Sequence, residues 1–370
     1  MNLIKFSKIN FINQDLKVVN NIFKNGWLTH GKYTSLFEDQ LKKYTGAKYA
    51  ITMSSCTAAL HLSCIAAGFK RGDEVLVPAQ THTATAHAVE YTGAKVKLID
   101  VDLLSGNINF EKLKKSISPR TKGVIIVHMA GFPCDLKNII NLCKKKKLKL
   151  IEDCAHGLGT RYKNKNVGNF GISGCFSFYP TKQITTGEGG ALITNSKKMY
   201  NLISKLKAFG IDKDINQRKK PGEYDVKYLG YNYRMTDFQA ALGYFQLKRY
   251  RINLIRRKQI AKRYIHNFRY NKNIRHMPYS NNCSFFVFQI FVKKRNGLMK
   301  ILKDNKIQFS IHYANSLNKM SYYKKKYNLN DTTCLNATNY GKTCLSLPIY
   351  PKLTNKEIDF ISSKINGFLN

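Results

Sequence analysis

Acid is what this 370-residue sequence has least of: 22 Asp and Glu stand against 62 Lys and Arg, a formal net charge of +40. Tryptophan occurs once and proline 8 times, and with only 24 glycines the collagen-like and low-complexity classes are excluded. The nine cysteines form no C-x-x-C pair, which removes the usual zinc-ligand spacing. There is no G-x-G-x-x-G and no G-x-x-x-x-G-K-[ST], so neither a Rossmann dinucleotide site nor a P-loop is indicated. No apolar stretch approaches the ~20 residues of a membrane helix, and the start, polar after Ile4, predicts no signal peptide. Scattered cysteines in odd number suggest reduced, mostly buried thiols and a cytoplasmic setting.

What is present is a core-forming chain, 43% hydrophobic and 12% aromatic. The charge has two readings. One is a polyanionic partner: nucleic acid, an acidic membrane or a phosphorylated substrate. The other is drift toward lysine in an AT-rich genome. The longest basic run, Lys144 to Lys147, lies in a helical pattern and suits a solvated face. No aromatic-interleaved basic stripe occurs, so neither nucleic acid nor membrane is expected as partner.

Between Lys48 and Thr194, short β-rich runs alternate with helical patterns. Strands are expected at 49–53, 74–77, 96–101, 123–128, 148–153, 174–178 and 191–194, and helices at 56–67, 83–91, 110–117 and 135–147. This rhythm predicts an α/β fold with a mostly parallel sheet. Residues 211–230 read as a long mobile loop. Thr236 looks like the N-cap of a helix running to Phe268. Strand, helix and strand follow at 285–292, 298–305 and 309–313, then helices near 333–342 and 355–368. The expected division is 1–250, an N-terminal segment and large domain, and 251–370, a smaller α+β domain.

Ligands in open α/β sheets sit at the carboxyl ends of strands, and polar motifs fall there repeatedly. Ser55-Cys56-Thr57 opens a helix, as an anion cradle or simply as a cap. Glu152-Asp153 ends an apolar strand, where a buried acid needs a partner: a protonated pyridine, or a surface lysine. Lys182 follows Phe176-Ser177-Phe178-Tyr179-Pro180-Thr181 and precedes Gly187-Glu188-Gly189-Gly190. A lysine in a partly desolvated pocket has a lowered pKa and can form a Schiff base with an aldehyde. Together these parts sketch a pyridoxal phosphate (PLP) site.

In these motifs, with Gly26-Trp27-Leu28-Thr29-His30-Gly31, Gly72-Asp73-Glu74-Val75, Asn232-Tyr233-Arg234-Met235 and Leu345 to Pro351, the sequence resembles the PLP-dependent sugar aminotransferases of the DegT/DnrJ/EryC1/StrS type. The resemblance implies the aspartate aminotransferase fold, with a large PLP-binding domain and a small C-terminal one. Lys182 would hold the cofactor covalently and shuttle a proton; Asp153 would pair with the pyridinium. Thr57, Ser177 and the N–H groups of Cys56, Thr57 and Ala58 would hold the phosphate, and Asn232 would reach it from the other subunit of a homodimer. His82 stands where the family usually stacks an aromatic, His156 where it often has Gln near the ring hydroxyl, and Cys56 where it has Gly. Substrate contacts would come from His128, Arg234, His312 and Tyr313. The implied reaction transfers an amino group, from glutamate, to a nucleotide-linked 4-keto or 3-keto sugar, most plausibly a 6-deoxy sugar for a surface polysaccharide. The rivals are a sugar dehydratase on the same fold, in which histidine replaces the lysine, and a catalytically silent regulatory or nucleic-acid-binding paralogue; Lys182 argues against the first, and Lys182, Asp153 and Ser177 together against the second.

Overall fold

The computed structural model describes residues 2–29, 31–213, 220, 222–330 and 332–369. Residues 214–219 and Pro221 of the expected 211–230 loop, and His30 of the early motif, lie outside the described residues.

Two helices lead, α1 (Asn13–Asn25) and α2 (Lys32–Thr45), each stopped by a left-handed glycine, Gly26 and Gly46. Alternation follows: β1 (Tyr49–Met53), α3 (Cys56–Ala66), β2 (Glu74–Pro78), α4 (Thr83–Glu90), β3 (Lys95–Ile99), α5 (Phe110–Lys115), β4 (Thr121–Val127), α6 (Leu136–Lys145) and β5 (Lys149–Asp153). A short hairpin, β6 (Arg161–Tyr162) and β7 (Lys165–Asn166), precedes β8 (Ser173–Ser177), β9 (Gly190–Thr194) and α7 (Lys197–Leu206). Strand order in the main sheet is β1-β9-β8-β5-β4-β2-β3, and β9 alone runs against the others. This is the mostly parallel α/β sheet the alternation predicts.

The sheet buries both faces, and its residues sort by the period of two that strands impose. Leu76, Val124, Ile126 and Leu150 face a core shared with α2, α6 and α8 (Asp237–Phe268). Val75, Val77, Ile125 and Ile151 face the other, shared with α3, α4 and α7. Consecutive residues of β5 therefore point to opposite sides, which separates Glu152 from Asp153.

Thr236 caps α8 with Gln239 in a reciprocal capping box, where the sequence places the start. The helix runs 32 residues and serves two cores: Leu247 and Tyr250 pack against the main sheet, Ile260, Tyr264 and Phe268 against a third cluster. That cluster is built on the antiparallel sheet β10 (Arg275–His276), β11 (Phe288–Phe291) and β12 (Cys344–Leu347), with α9 (Arg295–Asp304) and α12 (Asn355–Leu369). Helices α10 (Ser321–Lys326) and α11 (Leu335–Thr343) lie between α9 and β12 in the chain.

Two expected strands differ. The one at 285–292 begins at Phe288, because Ser284 and Phe286 donate their N–H groups to Gly131 and Ala130 of the main domain instead. No strand forms at 309–313. Only Ser310 pairs, with Ser346, and the next carbonyls, His312 and Tyr313, accept from the side-chain amides of Gln289 and Gln80. The segment becomes a wall rather than a ladder.

Gly243 of α8 faces the fully buried ring of Phe37, and a Cβ there would lie 2.4 Å from it. Alanine in a helix gains up to ~1 kcal/mol over glycine, but overpacking a core costs ~1–3 kcal/mol. Gly243→Ala is therefore expected to lower the melting temperature, and Phe37→Leu in the same chain to recover part of the loss. A rise in melting temperature for Gly243→Ala alone would contradict this packing.

Candidate active site

Strand order sets the site. At one edge of the sheet, the ends of β1, β9, β8 and β5 place Ser55 to Thr57, Gly190, Ser177 and Asp153 in succession. With His82 after β2, Lys182 after β8 and the His312-Tyr313 wall, all of these but Gly190 line a cavity of about 450 Å³.

Ser55 caps α3. Its Oγ accepts the N–H of Ala58 at 3.1 Å, and its carbonyl accepts that of Ala59. The N–H groups of Cys56 and Thr57 have no partner among the described residues and stand at the positive end of the helix. Beside them, a Cβ on Gly190 would lie 2.3 Å from the Cys56 nitrogen, so only glycine lets β9 pass this close. Cysteine at position 56 costs the cradle no donor, since the donor is the amide.

Asp153 is 4% exposed. One carboxylate oxygen accepts from Thr85 Oγ1 at 2.8 Å, the other from the Ala155 N–H at 3.0 Å. Burial pushes this carboxyl above its usual range, while those two donors and Lys182 pull it back. No lysine forms an ion pair with it among the described residues, which removes the surface-lysine alternative. Lys182 Nζ lies 4.3 Å from the centroid of the Phe286 ring. Burial lowers its pKa to about 8, with Cys56 and Asp153 opposing. The cavity's histidines are held neutral: burial, then Lys182, lowers His82 and takes His312 down to about 3. His82 also caps α4, its Nδ1 accepting from the Ala84 N–H.

Lys182, Asp153, Cys56, Thr57, Ser177, His82, His312 and Tyr313 are thus brought to one cavity. Five other candidates are not. Ala58 spends its N–H on the Ser55 cap. His128, expected among the substrate contacts, is fully buried: Nδ1 accepts from the Cys134 N–H, and Nε2 faces Glu152 at 3.1 Å. That Glu152 also accepts the N–H groups of Gly168, Phe170 and Gly171. His128, Glu152 and Cys154 come close enough to suggest a metal, but the His and Glu atoms are already bonded to each other and to the backbone. His156 is 2% exposed and stacked on Phe286 at 4.3 Å, behind Tyr313 rather than on the cavity surface. Asn232 and Arg234 bond to each other outside their own chain's cavity. Sequence reasoning missed Thr85, in the first turn of a helix that opens at the end of β2, and Phe286, which had no signal.

The cavity suits PLP on its own evidence. Two N–H groups without a partner among the described residues offer an anion site, a buried carboxylate forms no ion pair among them, and a lysine of lowered pKa lines the same cavity. Cys56, Thr57 and Ser177 would hold the phosphate, Asp153 the ring nitrogen and Lys182 the aldehyde.

The profile of the DegT/DnrJ/EryC1/StrS aminotransferase family matches residues 10–366. The chain is 35% identical to the spore coat polysaccharide biosynthesis protein SpsC of Bacillus subtilis over 96% of its own length and 94% of that protein's. It is 33% identical to the GDP-perosamine synthase of Escherichia coli O157:H7, covering 96% and 95%. Among solved structures, Spr1654 of Streptococcus pneumoniae superposes in its PMP form with a TM-score of 0.93 at 28% identity, covering 98% of each chain, and has also been solved in a PLP form.

A pKa near 8 has a measurable consequence. Only the neutral amine of Lys182 attacks an aldehyde, so the capture rate of PLP by the cofactor-free protein should rise about tenfold per pH unit and level off above pH 8. A solvated lysine would go on rising toward ~10.4. Stopped-flow absorbance against pH distinguishes the two, and a plateau near the latter value would contradict a desolvated Lys182.

Proposed function

The chain belongs to the DegT/DnrJ/EryC1/StrS aminotransferase family, and on that premise we propose that it is a PLP-dependent enzyme transferring an amino group from glutamate to a keto-sugar linked to a nucleoside diphosphate. The observation that carries the reading is the meeting of Lys182, Asp153 and the free N–H groups of α3 in one cavity. Kinship with SpsC and with GDP-perosamine synthase supports a sugar acceptor destined for a surface polysaccharide.

Bound PLP supplies an electron sink for the charge left when a proton leaves the adjoining carbon. The chain's own residues do the rest. Asp153 keeps the ring nitrogen protonated by facing it with a buried negative charge. The Cys56 and Thr57 N–H groups neutralise the phosphate and fix the ring's direction. Lys182 carries a proton at Nζ between carbon atoms, a task its lowered pKa suits near neutrality. Tyr313 and His312 close the cavity on the C-terminal side.

The test is a two-stage spectrum. Glutamate should bleach the visible absorbance of the yellow holoenzyme, and a 4-keto or 3-keto 6-deoxysugar nucleotide should restore it. Bleaching by no amino acid would exclude transamination.

Asp153→Asn preserves size and a hydrogen bond but removes the charge. PLP should still bind, while turnover falls at least ~10²-fold, ~2.7 kcal/mol of barrier. If turnover stays normal at full occupancy and only the melting temperature falls, Asp153 is structural.

We further propose a homodimer whose Asn232 reaches the phosphate of the partner's site, in keeping with its exposure outside its own cavity. Subunit exchange between inactive Lys182→Ala and inactive Asn232→Ala proteins should then restore activity, through one intact site per heterodimer. A fully active monomer in sedimentation would end this reading.

A further inference from the structure

The partners of His156 leave it a single tautomer. Nδ1 accepts the N–H of Ala130 at 3.3 Å, so that nitrogen bears no proton. Burial, with Lys182 nearby, holds the ring neutral. The one ring proton therefore sits on Nε2, 3.2 Å from the hydroxyl oxygen of Tyr313. Stacking on Phe286 at 4.3 Å and 21° keeps the imidazole from turning over. Tyr313 must accept from His156, which leaves its own proton without an acceptor among the described residues, on a side chain that lines the cavity.

Strand order says which way that proton points. The cradle stands at the end of β1, and Asp153 at the end of β5, with β9 and β8 between. Tyr313 lies beyond Asp153: its carbonyl is held at 2.9 Å by Gln80, just past β2, and its hydroxyl by His156, itself bonded to Ala130 past β4. Cradle and Tyr313 thus flank Asp153 from opposite sides. In the PLP ring, the nitrogen and the aldehyde-bearing carbon are para, and the phosphate arm and the hydroxyl occupy opposite flanks of that axis. Once nitrogen faces Asp153, aldehyde Lys182 and phosphate the cradle, the ring oxygen projects toward Tyr313.

We propose that Tyr313 donates its hydroxyl proton in a hydrogen bond to the ring oxygen of PLP, and that His156 is the positioning residue that aims it. The inference rests on the cofactor pose set out under the proposed function. It moves the oxygen contact from the residue three positions after Asp153 to a residue of the C-terminal wall. A donor at this oxygen favours its anionic form and so lowers the proton affinity of the bound chromophore.

The test is the pH titration of the visible spectrum of the holoenzyme. Tyr313→Phe keeps the ring and should raise the midpoint by about one pH unit, a tenfold gain in proton affinity. His156→Leu should raise it less, because Tyr313 is then present but unaimed. The double variant should shift no further than Tyr313→Phe, since one contact is lost in both. Asp153, Lys182, His82, His312 and Cys56 also face this end of the cavity and are unchanged in every variant. A second measurement needs no titration. The wild-type apoprotein should bind PLP more tightly than 3-deoxypyridoxal phosphate, and Tyr313→Phe should lose most of that preference. An unmoved midpoint in Tyr313→Phe, a full shift in His156→Leu alone, or an effect confined to the KM for the keto-sugar would overturn the assignment. Borohydride trapping on Lys182 separates the levels: trapping without the Tyr313 shift sinks only this inference, whereas no trapping sinks the pose and the inference with it.

Discussion

Asp153 is buried and forms no ion pair among the described residues, and the site is arranged around that fact. A carboxylate taken out of water needs hydrogen bonds and an opposite charge. Its neighbour Glu152, on the other face of the same strand, receives three backbone donors and faces His128, and is satisfied within the fold. Among the described residues Asp153 receives only Thr85 and Ala155, and its carboxyl is pushed upward. Across the cavity, Lys182 is pushed down and the first N–H groups of α3 lack acceptors. A ligand bearing a cation at one end and an anion at another relieves all of these at once, and whatever binds the native state alone also stabilises it.

That arrangement was legible where chemistry is local in sequence. Ser55 to Thr57, Asp153, Ser177 and Lys182 each follow an apolar run, and a parallel sheet brings such ends together without any need to know side-chain contacts. Most of what stayed hidden is non-local. Ala58 is a local exception: Ser55 reads as a cradle or a cap, and as the cap it takes the N–H of Ala58 three residues on. His128 is claimed by Glu152, 24 residues away. The wall at 309–313 has the composition of a strand, and only the amides of Gln80 and Gln289, far off in the chain, turn it from the ladder. The leading helices α1 and α2 went unassigned because few of their residues are buried; in α1 those are Asp15 and Ile22.

Positions 56, 82 and 156, where the resemblance implies Gly, an aromatic and Gln, have separate local explanations. Cys56 retains the amide, and Gly190 supplies the clearance. His82 offers a flat neutral ring while its Nδ1 caps α4. His156 engages both nitrogens within the fold, one with Ala130 and one with Tyr313, and on the inference above the polar contact there would fall to the phenol.

The same reasoning limits what the net charge of +40 does. Of 62 lysines and arginines, Lys182 alone lines the cavity among the described residues, in company with Asp153 and Glu188. The histidines there are neutral, so the local balance is not basic. An anionic group in the cavity would be met by the backbone N–H groups of Cys56 and Thr57, whose positions do not depend on composition. Outside it, exposed charges such as Lys144 and Lys145 on α6 act through solvent, where physiological salt screens them within ~8 Å. Their summed field would raise the encounter rate with a polyanionic ligand, such as the sugar nucleotide proposed above, and would weaken as salt is added. Surface lysines can therefore accumulate without disturbing the site, because the field that speeds approach and the dipoles that hold the ligand are supplied by different parts of the molecule.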